Sequence, residues 1–466
     1  MTKARPLRVA VIGSGPAGVY AADILTKSKE VKDGEVQVSI DIFDRYPAPF
    51  GLIRYGVAPD HPRIKGIIGA LHKIMDRGDI RFFGNVEYGV DVTLEELREH
   101  YDAIIFATGA IKDAPLDIPG ADLDGSYGAS DFVSWYDAHP DYPREWPLTA
   151  KEVAVLGNGN VALDVARVLS KHADDMLVTE IPDHVYEGLK ASPVTDVHIF
   201  GRRGPAQIKF TPLELRELAH SRDVDIVLYE EDFQFDAASE EAMENNAQIK
   251  VMTKVLRGWL EDQKENPGTA SRRLHLHFLQ SPAEILGEDG KVTGLKMERN
   301  KLDGEGGITP TGEFIEYPMQ AVYRAIGYFG SELPEVGFDP NRGVITNVEG
   351  RVVDTDGEAV PGLYATGWIK RGPVGLIGST KSDALETVTH LLEDRENLYT
   401  ATEPDAEKFT EYLDSKGVEY VSWEGWHKLD AHEKSLGEAA LDAAGQPRKR
   451  VKVVDREEMV RISRGL

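Results

Sequence analysis

The 466-residue chain contains no cysteine. That absence removes structural disulfides, a cysteine-ligated iron–sulfur cluster within the chain and any Cys-x-x-Cys redox chemistry. If electrons move through this protein, a bound organic cofactor must carry them. No apolar run approaches the roughly 18 residues that a membrane helix needs, so no membrane association is expected. The opening MTKARPLRVAVIGSG enters an apolar strand pattern almost at once and has neither a hydrophobic signal core nor a cleavage site. No secretory signal is expected, and the cytoplasm is the default location. Cations are scarce, with 53 Lys and Arg against 79 Asp and Glu and a net charge of −26. A general nucleic-acid binder would show the opposite balance.

What is present is ordinary globular composition in a chain too long for one core, which predicts two or three domains. The stretch RVAVIGSGPAGVYAADIL (8–25) runs a short apolar strand into Gly13-x-Gly15-x-x-Gly18 and then a helix-compatible segment. The first glycine of such a fingerprint makes the tight turn, the second lets backbone approach a pyrophosphate, and the third lets helix and strand pack closely. The next strand, VSIDIFD, ends at Asp44, whose carboxylate suits a ribose hydroxyl. A second stretch, EVAVLGNGNVALDVARVL (152–169), repeats the design as Gly157-x-Gly159-x-x-Ala162. Its following strand, DVHIF, comes late, so an insertion around 175–193 is expected, read as a polar, proline-punctuated surface excursion.

That late strand runs into GRRG (201–204), where an acid is the usual residue. Arg202 and Arg203 there would clasp the extra phosphate that distinguishes NADPH from NADH, through charge-assisted bonds. Two dinucleotide folds suggest two dinucleotides: FAD on the Asp44 unit, NADPH on the arginine unit, and hydride passing from nicotinamide to flavin.

Two similar apolar segments, YDAIIFATGA (101–110) and AVYRAIGYFG (321–330), bracket the second unit. A third, 360–392, leads through Gly367 to a glycine-rich turn and a long helix with Thr380 or Ser382 near its cap. The expected fold is α/β: two Rossmann-like dinucleotide-binding domains, a glutathione-reductase-like FAD domain with an inserted NADP domain. The expected boundaries are 1–109 and 328–466 for FAD and 110–327 for NADPH, the last part carrying a C-terminal cover.

The chain resembles the adrenodoxin reductase-type ferredoxin–NADP+ reductases of mitochondria and actinobacteria. The resemblance spans most of it and rests on GSGPAG, FGLIRYGVAPDHPRIK (50–65), GNGNVALDVARVL, GRRGPAQIKFTPLELREL (201–218) and ATGWIKRGPVGLIGSTKSDALET (365–387). It implies an NADPH-dependent flavoprotein that passes hydride to FAD and then single electrons to a ferredoxin-type iron–sulfur protein. By position it implies that Ala17, Asp44 and Leu52 lie along FAD and that Val86 meets its adenine side by main chain. Trp368 would pack near the isoalloxazine and nicotinamide, with Gly375, Leu376 and Ile377 turning main-chain N–H groups to the flavin. Gly159, Asn160, Val161 and Ala162 would face the NADPH pyrophosphate, with Arg202, Arg203 and Glu214 around its adenosine end. His61 would lie close to Asp164 near the flavin edge, as a proton relay or as an organiser of the interface. The family expectation is a monomer.

An acidic ferredoxin needs a local basic patch on this acidic chain. Lys250, Lys254 and Arg257 share one helical face in KVMTKVLRGWL and are the first candidate; Arg448, Lys449, Arg450 and Lys452 are the rival, equally compatible with an exposed turn. His275 and His277 would project to one side of a strand without a third ligand nearby, and no metal site is expected. The alternatives are a flavin monooxygenase, whose typical segment between the two folds is missing, and a non-catalytic NADPH- or FAD-responsive binding protein. Cysteine-dependent disulfide reductases and cluster-bearing flavoprotein subunits are excluded.

Overall fold

In the computed structural model, which describes residues 5–374 and 377–466, most of the strands gather into two large sheets. The first has seven strands in the order Asn347–Val348, Arg351–Val353, Ala359–Ala365, Ala103–Phe106, Leu7–Ile12, Val38–Asp44, Ile80–Gly84. From Ala359–Ala365 to Ile80–Gly84 the neighbours run parallel. Helices cover both faces of a parallel sheet, so its strands must be apolar on both sides. Val9–Ile12 and Ala103–Phe106 are accordingly all buried.

The second sheet has six parallel strands in the order Ser126–Gly128, Ala321–Arg324, Glu152–Leu156, Asp196–Phe200, Arg272–His277, Val224–Leu228. The apolar face of a three-stranded antiparallel sheet, Gln280–Glu288, Lys291–Leu302 and Ile308–Pro318, packs Ile285, Leu295 and Met297 against Ala154, Leu156 and Phe200. Where the chain passes between the two large sheets, Lys112–Asp113 pairs antiparallel with Tyr328–Phe329, so the outward and return passages form a short ribbon.

Three expectations are corrected. The segment around 175–193 is not a surface excursion. It forms helices Ala173–Met176 and Asp183–Ala191, with Met176, Ile181, Val185 and Leu189 in the core that also holds Trp135. Their spacing at i, i+4 and i+8 from Ile181 is an apolar helical stripe, which the intervening polar residues disguise. The rival basic patch is not a patch either. Arg448 and Lys452 are each only 3% exposed, and Arg450 is paired with Asp430 and Glu433. Lastly, the 17-residue helix Ile377–Glu393 starts before Thr380 and Ser382, which therefore sit inside it and do not cap it.

The buried tail cations tie the end of the chain to the second unit. Lys452 Nζ lies 2.9 Å from Glu180, and Lys65 Nζ lies 2.8 Å from the same carboxylate. The Arg448 guanidinium donates to the carbonyls of Thr179 and Ile181. Burial raises the Glu180 carboxyl, but the two lysines and Arg54 reverse this and hold it well below the usual carboxylate range. Glu180→Gln leaves two buried ammonium groups with Asp137 as their one carboxylate partner, so a loss of about 3 kcal/mol is expected in a denaturant melt. Limited proteolysis of the 440–455 tail should accelerate with it; an unchanged melt and digestion pattern would show that the latch contributes nothing.

Over the first sheet, helix Trp423–Ala439 buries Trp426 and Leu429 in the core that contains Val9 and Val11.

Candidate active site

The two fingerprints are built alike. Gly13 follows the strand Leu7–Ile12, donates its N–H to the Phe43 carbonyl at 2.8 Å, and has φ +116°. Gly157 follows Glu152–Leu156, donates to the Phe200 carbonyl at 3.0 Å, and has φ +145°. A Cβ on Gly13 would come within 2.3 Å of the Ala107 carbonyl oxygen, and one on Gly157 within 2.2 Å of that of Ala325. Each turn is thus pressed against the loop leaving the neighbouring strand, in the crevice where open α/β sheets bind ligands. Gly18 lies beneath the Gly13 carbonyl, 2.0 Å from where its Cβ would stand, whereas Ala162 is accommodated in its helix fully buried.

Gly15 and Gly159 are the N-caps of Pro16–Thr26 and Asn160–Ser170, and neither helix has a side-chain cap. The contrast with several other helices is clear. Thr93, Asn246, Asp405, Ser422 and Asp455 all cap their helices through side-chain oxygens. Uncapped N-termini present free N–H groups and a positive dipole end, the combination that holds a phosphate. Around Gly159 a Cβ would meet nothing within 4 Å, so backbone there is open to close approach. Asn160 Oδ1 accepts from Thr211 N–H at 3.1 Å, and Val161 is half-buried.

At the first unit, Asp44 Oδ2 accepts from both the backbone N–H and the hydroxyl of Ser14, and Oδ1 accepts from Tyr46 N–H at 2.9 Å. Burial still raises its carboxyl above the ordinary value. Val86 donates its N–H to the Asp44 carbonyl at 2.9 Å, which brings these two residues together and commits that N–H. Gly51, one residue before Leu52, lies against Gly15, its missing Cβ only 3.1 Å from the Gly15 Cα. Gly367, before the half-buried Trp368, faces the Ala17 methyl. Ala17, Leu52 and Trp368 therefore surround the first loop. Gly375 and Leu376 lie outside the described residues, as does the side chain of Ile377.

Arg202 and Arg203 are exposed, while their backbone is held: Asn300 Nδ2 donates to the Arg202 carbonyl at 3.0 Å and Leu279 N–H to that of Arg203 at 3.1 Å. Gly201 packs against Asn158, so the arginine loop sits beside the second glycine loop.

Between the two units lies a buried cluster of unpaired polar atoms. His61 is 1% exposed, and neither ring nitrogen has a hydrogen-bond partner. Its Nε2 is 3.8 Å from Asp164 Oδ1, 3.7 Å from Glu214 Oε1 and 3.5 Å from Glu217 Oε2. Glu214, expected at the adenosine end, stands in this cluster. Burial raises the carboxyls of Asp164 and Glu214. Tyr136 and Tyr328, both near Asp164, also contribute buried hydroxyl oxygens without partners. Buried polar atoms ordinarily have partners, so this many in one region describes a site shaped for a polar group. The two uncapped glycine loops fit the phosphates of two dinucleotides.

Arg167 organises the cluster from the second fingerprint helix. It makes two 2.8 Å hydrogen bonds to Asp60 and lies 2.9 Å from Asp164. Neither Arg167 nor Glu217 was anticipated from the sequence, although each stands three residues after a candidate, on the same helical face.

Two histidine clusters lie elsewhere. His198 joins His275 and His277, contrary to the expectation of no third partner nearby. Its ring stacks on His275 at 4.0 Å and 2°, and its Nδ1 is 2.9 Å from His277 Nε2. His275 is committed to Tyr229 and Asp196, each at 2.8 Å. Rings lying flat on one another aim their in-plane lone pairs past any common point, so this is a hydrogen-bonded stack and not a ligand set. Burial pushes His198 down to about 3 and His277 to about 2. On the surface, His72 and His427 both bond Asp76, and His72 Nε2 accepts from Trp426 at 3.3 Å. That acceptor role puts the His72 proton on Nδ1, facing Asp76, where a metal would have to bind.

Residues 7–197 match the family described as pyridine nucleotide-disulphide oxidoreductase. The NADPH-ferredoxin reductase FprA of Mycobacterium tuberculosis is 41% identical, over 99% of this chain and 100% of its own length. The mitochondrial NADPH:adrenodoxin oxidoreductase of Bos taurus is 38% identical, over 99% and 93%. The solved structure of Mycobacterium tuberculosis FprA in complex with NADPH superposes with a TM-score of 0.87 at 40% identity, covering 99% of this chain and 100% of that one.

Proposed function

The chain belongs to the family of NADPH-ferredoxin reductases and NADPH:adrenodoxin oxidoreductases, and from that premise we infer that it is an FAD-dependent oxidoreductase carrying electrons from NADPH to a ferredoxin-type iron–sulfur protein. The observation that carries this reading is the pair of uncapped fingerprint helices, the second of which contributes Asp164 to a cluster of unpaired buried polar atoms around His61. FAD, when bound, supplies the chemistry: it accepts two electrons as hydride and gives them up singly. The protein's part is to bind, orient and exclude water. The monooxygenase and non-catalytic alternatives are not favoured.

The residue roles are proposals of the same reading. Asp44, Val86, Ala17, Leu52 and Trp368 hold FAD, with main chain at Gly375–Ile377. Gly159, Asn160, Val161 and Ala162 hold the NADPH pyrophosphate, and Arg202 with Arg203 its 2′-phosphate. His61, with Asp164, Glu214 and Glu217, holds a proton beside the reacting rings. Residues 110–327 form the NADPH domain, inserted between FAD-domain parts 1–109 and 328–466; the separate strand sets of the two sheets support this division. No helix among the described residues is long and apolar enough to cross a membrane, and we place the protein in the cytoplasm as a monomer.

Lys250, Lys254 and Arg257 are proposed to receive the ferredoxin. All three are exposed on helix Ala247–Glu265, whose other side buries Met252, Leu256 and Leu260, and Arg257 stacks over Phe235. Reversing them together (Lys250→Glu/Lys254→Glu/Arg257→Glu) should raise KM for an acidic ferredoxin about tenfold or more at low salt and much less at high salt, while NADPH-to-ferricyanide turnover holds. A KM that does not move at low salt removes the patch from the docking site.

The test of the reading as a whole is cytochrome c reduction by the purified yellow protein with NADPH. Dependence on added ferredoxin supports the assignment; equal turnover without ferredoxin defeats the acceptor.

A further inference from the structure

We propose that Asp383 is a positioning residue for the flavin-facing turn: one buried carboxylate that fixes the backbone carrying Trp368. This rests on the reductase reading above. Asp383 lies in the second turn of helix Ile377–Glu393 and its side chain is 9% exposed. Its Oδ2 accepts from the Gly367 N–H at 2.5 Å and from the Thr366 hydroxyl at 3.1 Å, and lies 3.0 Å from Arg371 Nη1. Its Oδ1 lies 3.1 Å from Lys370 Nζ. All of these groups belong to one short segment, Thr366 to Arg371, with Trp368 in its middle.

The segment needs such a clamp. Gly367 has φ +77° and ψ −151°, a conformation essentially restricted to glycine. On its other side it meets Ala17 of the first fingerprint, and a Cβ at 367 would stand 2.6 Å from the Ala17 methyl. The turn is therefore held between the FAD loop and the Asp383 carboxylate. Shifting it moves Trp368 relative to the first loop. A second tie from the same helix, Thr387 Oγ1 donating to the Ala365 carbonyl at 2.9 Å, fixes only the strand end before the turn.

The charges make the carboxylate specific. Lys370 is also bound by Glu386, and Arg371 donates to the Val374 carbonyl at 3.1 Å, but Asp383 is the acid that touches both cations and the Gly367 N–H. Asparagine keeps an oxygen for that N–H and gives up the hold on Lys370 and Arg371. Alanine gives up everything.

The experiment compares Asp383→Ala and Asp383→Asn holoenzymes with Glu386→Gln, which breaks the outer Lys370 contact alone. Two quantities are read: the visible circular dichroism of the bound flavin, and anaerobic flavin bleaching over a range of NADPH concentrations. For Asp383→Ala the limiting bleaching rate should fall about 100-fold, the scale of a small misplacement of reacting groups. For Asp383→Asn the fall should be about tenfold, because one acceptor survives. In both, the apparent Kd for NADPH should move less than about threefold, which separates positioning from binding. The flavin dichroism should change in both Asp383 variants and stay as in wild type in Glu386→Gln. Limiting rates within about twofold of wild type in both Asp383 variants overturn the proposal, as do equal changes in Glu386→Gln. If Asp383→Ala does not retain FAD, Asp383→Asn decides on the same criteria. Wild-type flavin that NADPH does not bleach would count against the reductase reading; the dichroism, which needs no NADPH, would still decide the role of Asp383.

Discussion

Arg202→Ala/Arg203→Ala is expected to lower kcat/KM for NADPH by about 100- to 1,000-fold while kcat/KM for NADH stays within about threefold. A charge-assisted hydrogen bond to a phosphate is worth about 1.5–3 kcal/mol, so one from each arginine would account for two or more orders of magnitude. The structure makes the variant clean. The carbonyls of both arginines are anchored by Asn300 and Leu279, so truncating exposed side chains leaves the loop in place. NADH, which lacks the extra phosphate, serves as the internal control for fold and hydride transfer. Steady-state kinetics with both cofactors check the prediction, and an NADPH preference that survives the double substitution would assign the 2′-phosphate to other residues.

The second large effect is on stability. Arg167→Met is expected to destabilise the protein by about 3–5 kcal/mol, because it strands the buried Asp164 and leaves the buried Asp60 with Lys171 alone. Arg167 is 1% exposed and sits between Asp60 and Asp164. Burial alone would raise the Asp60 carboxyl, but Arg167 and Lys171 overturn this and hold it far below the usual carboxylate range. A carboxyl lowered in the folded state adds stability that is complete above its unfolded value of about 4 and fades as pH falls toward the folded value. In the variant that contribution is lost at neutral pH, and the acid limb of the unfolding profile moves to higher pH. Denaturant melts from pH 7 down to 3 measure both. A variant that melts like wild type at pH 7 would mean that Lys171 alone, 2.8 Å from Asp60, is sufficient.

Much of this could be read before the fold was seen. Strand, glycines and helix are contiguous in both fingerprints, so local sequence is enough to locate them and the uncapped helix N-termini. The arginine loop was legible because it stands where the fold normally puts an acid. What escaped depends on partners remote in sequence. Arg448 and Lys452 look like surface cations until Thr179, Glu180 and Ile181 are brought to them from more than 250 residues away. His198 meets His275 only because their strands are parallel neighbours in register. The resemblance implied Glu214 around the adenosine end, and its contact with His61 depends on the remote segment that helix Pro212–Leu218 packs it against.

The ribbon formed by Lys112–Asp113 and Tyr328–Phe329 has a mechanical consequence. Two strands bonded edge to edge yield readily in twist and hardly at all in length. Taken alone the ribbon would let the sheets swivel more readily than separate, but the buried Arg167–Asp60 pair and the Glu180 contacts to Lys65 and Lys452 bridge the same two halves and resist the swivel. For two electron carriers whose traffic depends steeply on separation, these ties hold gap and orientation together.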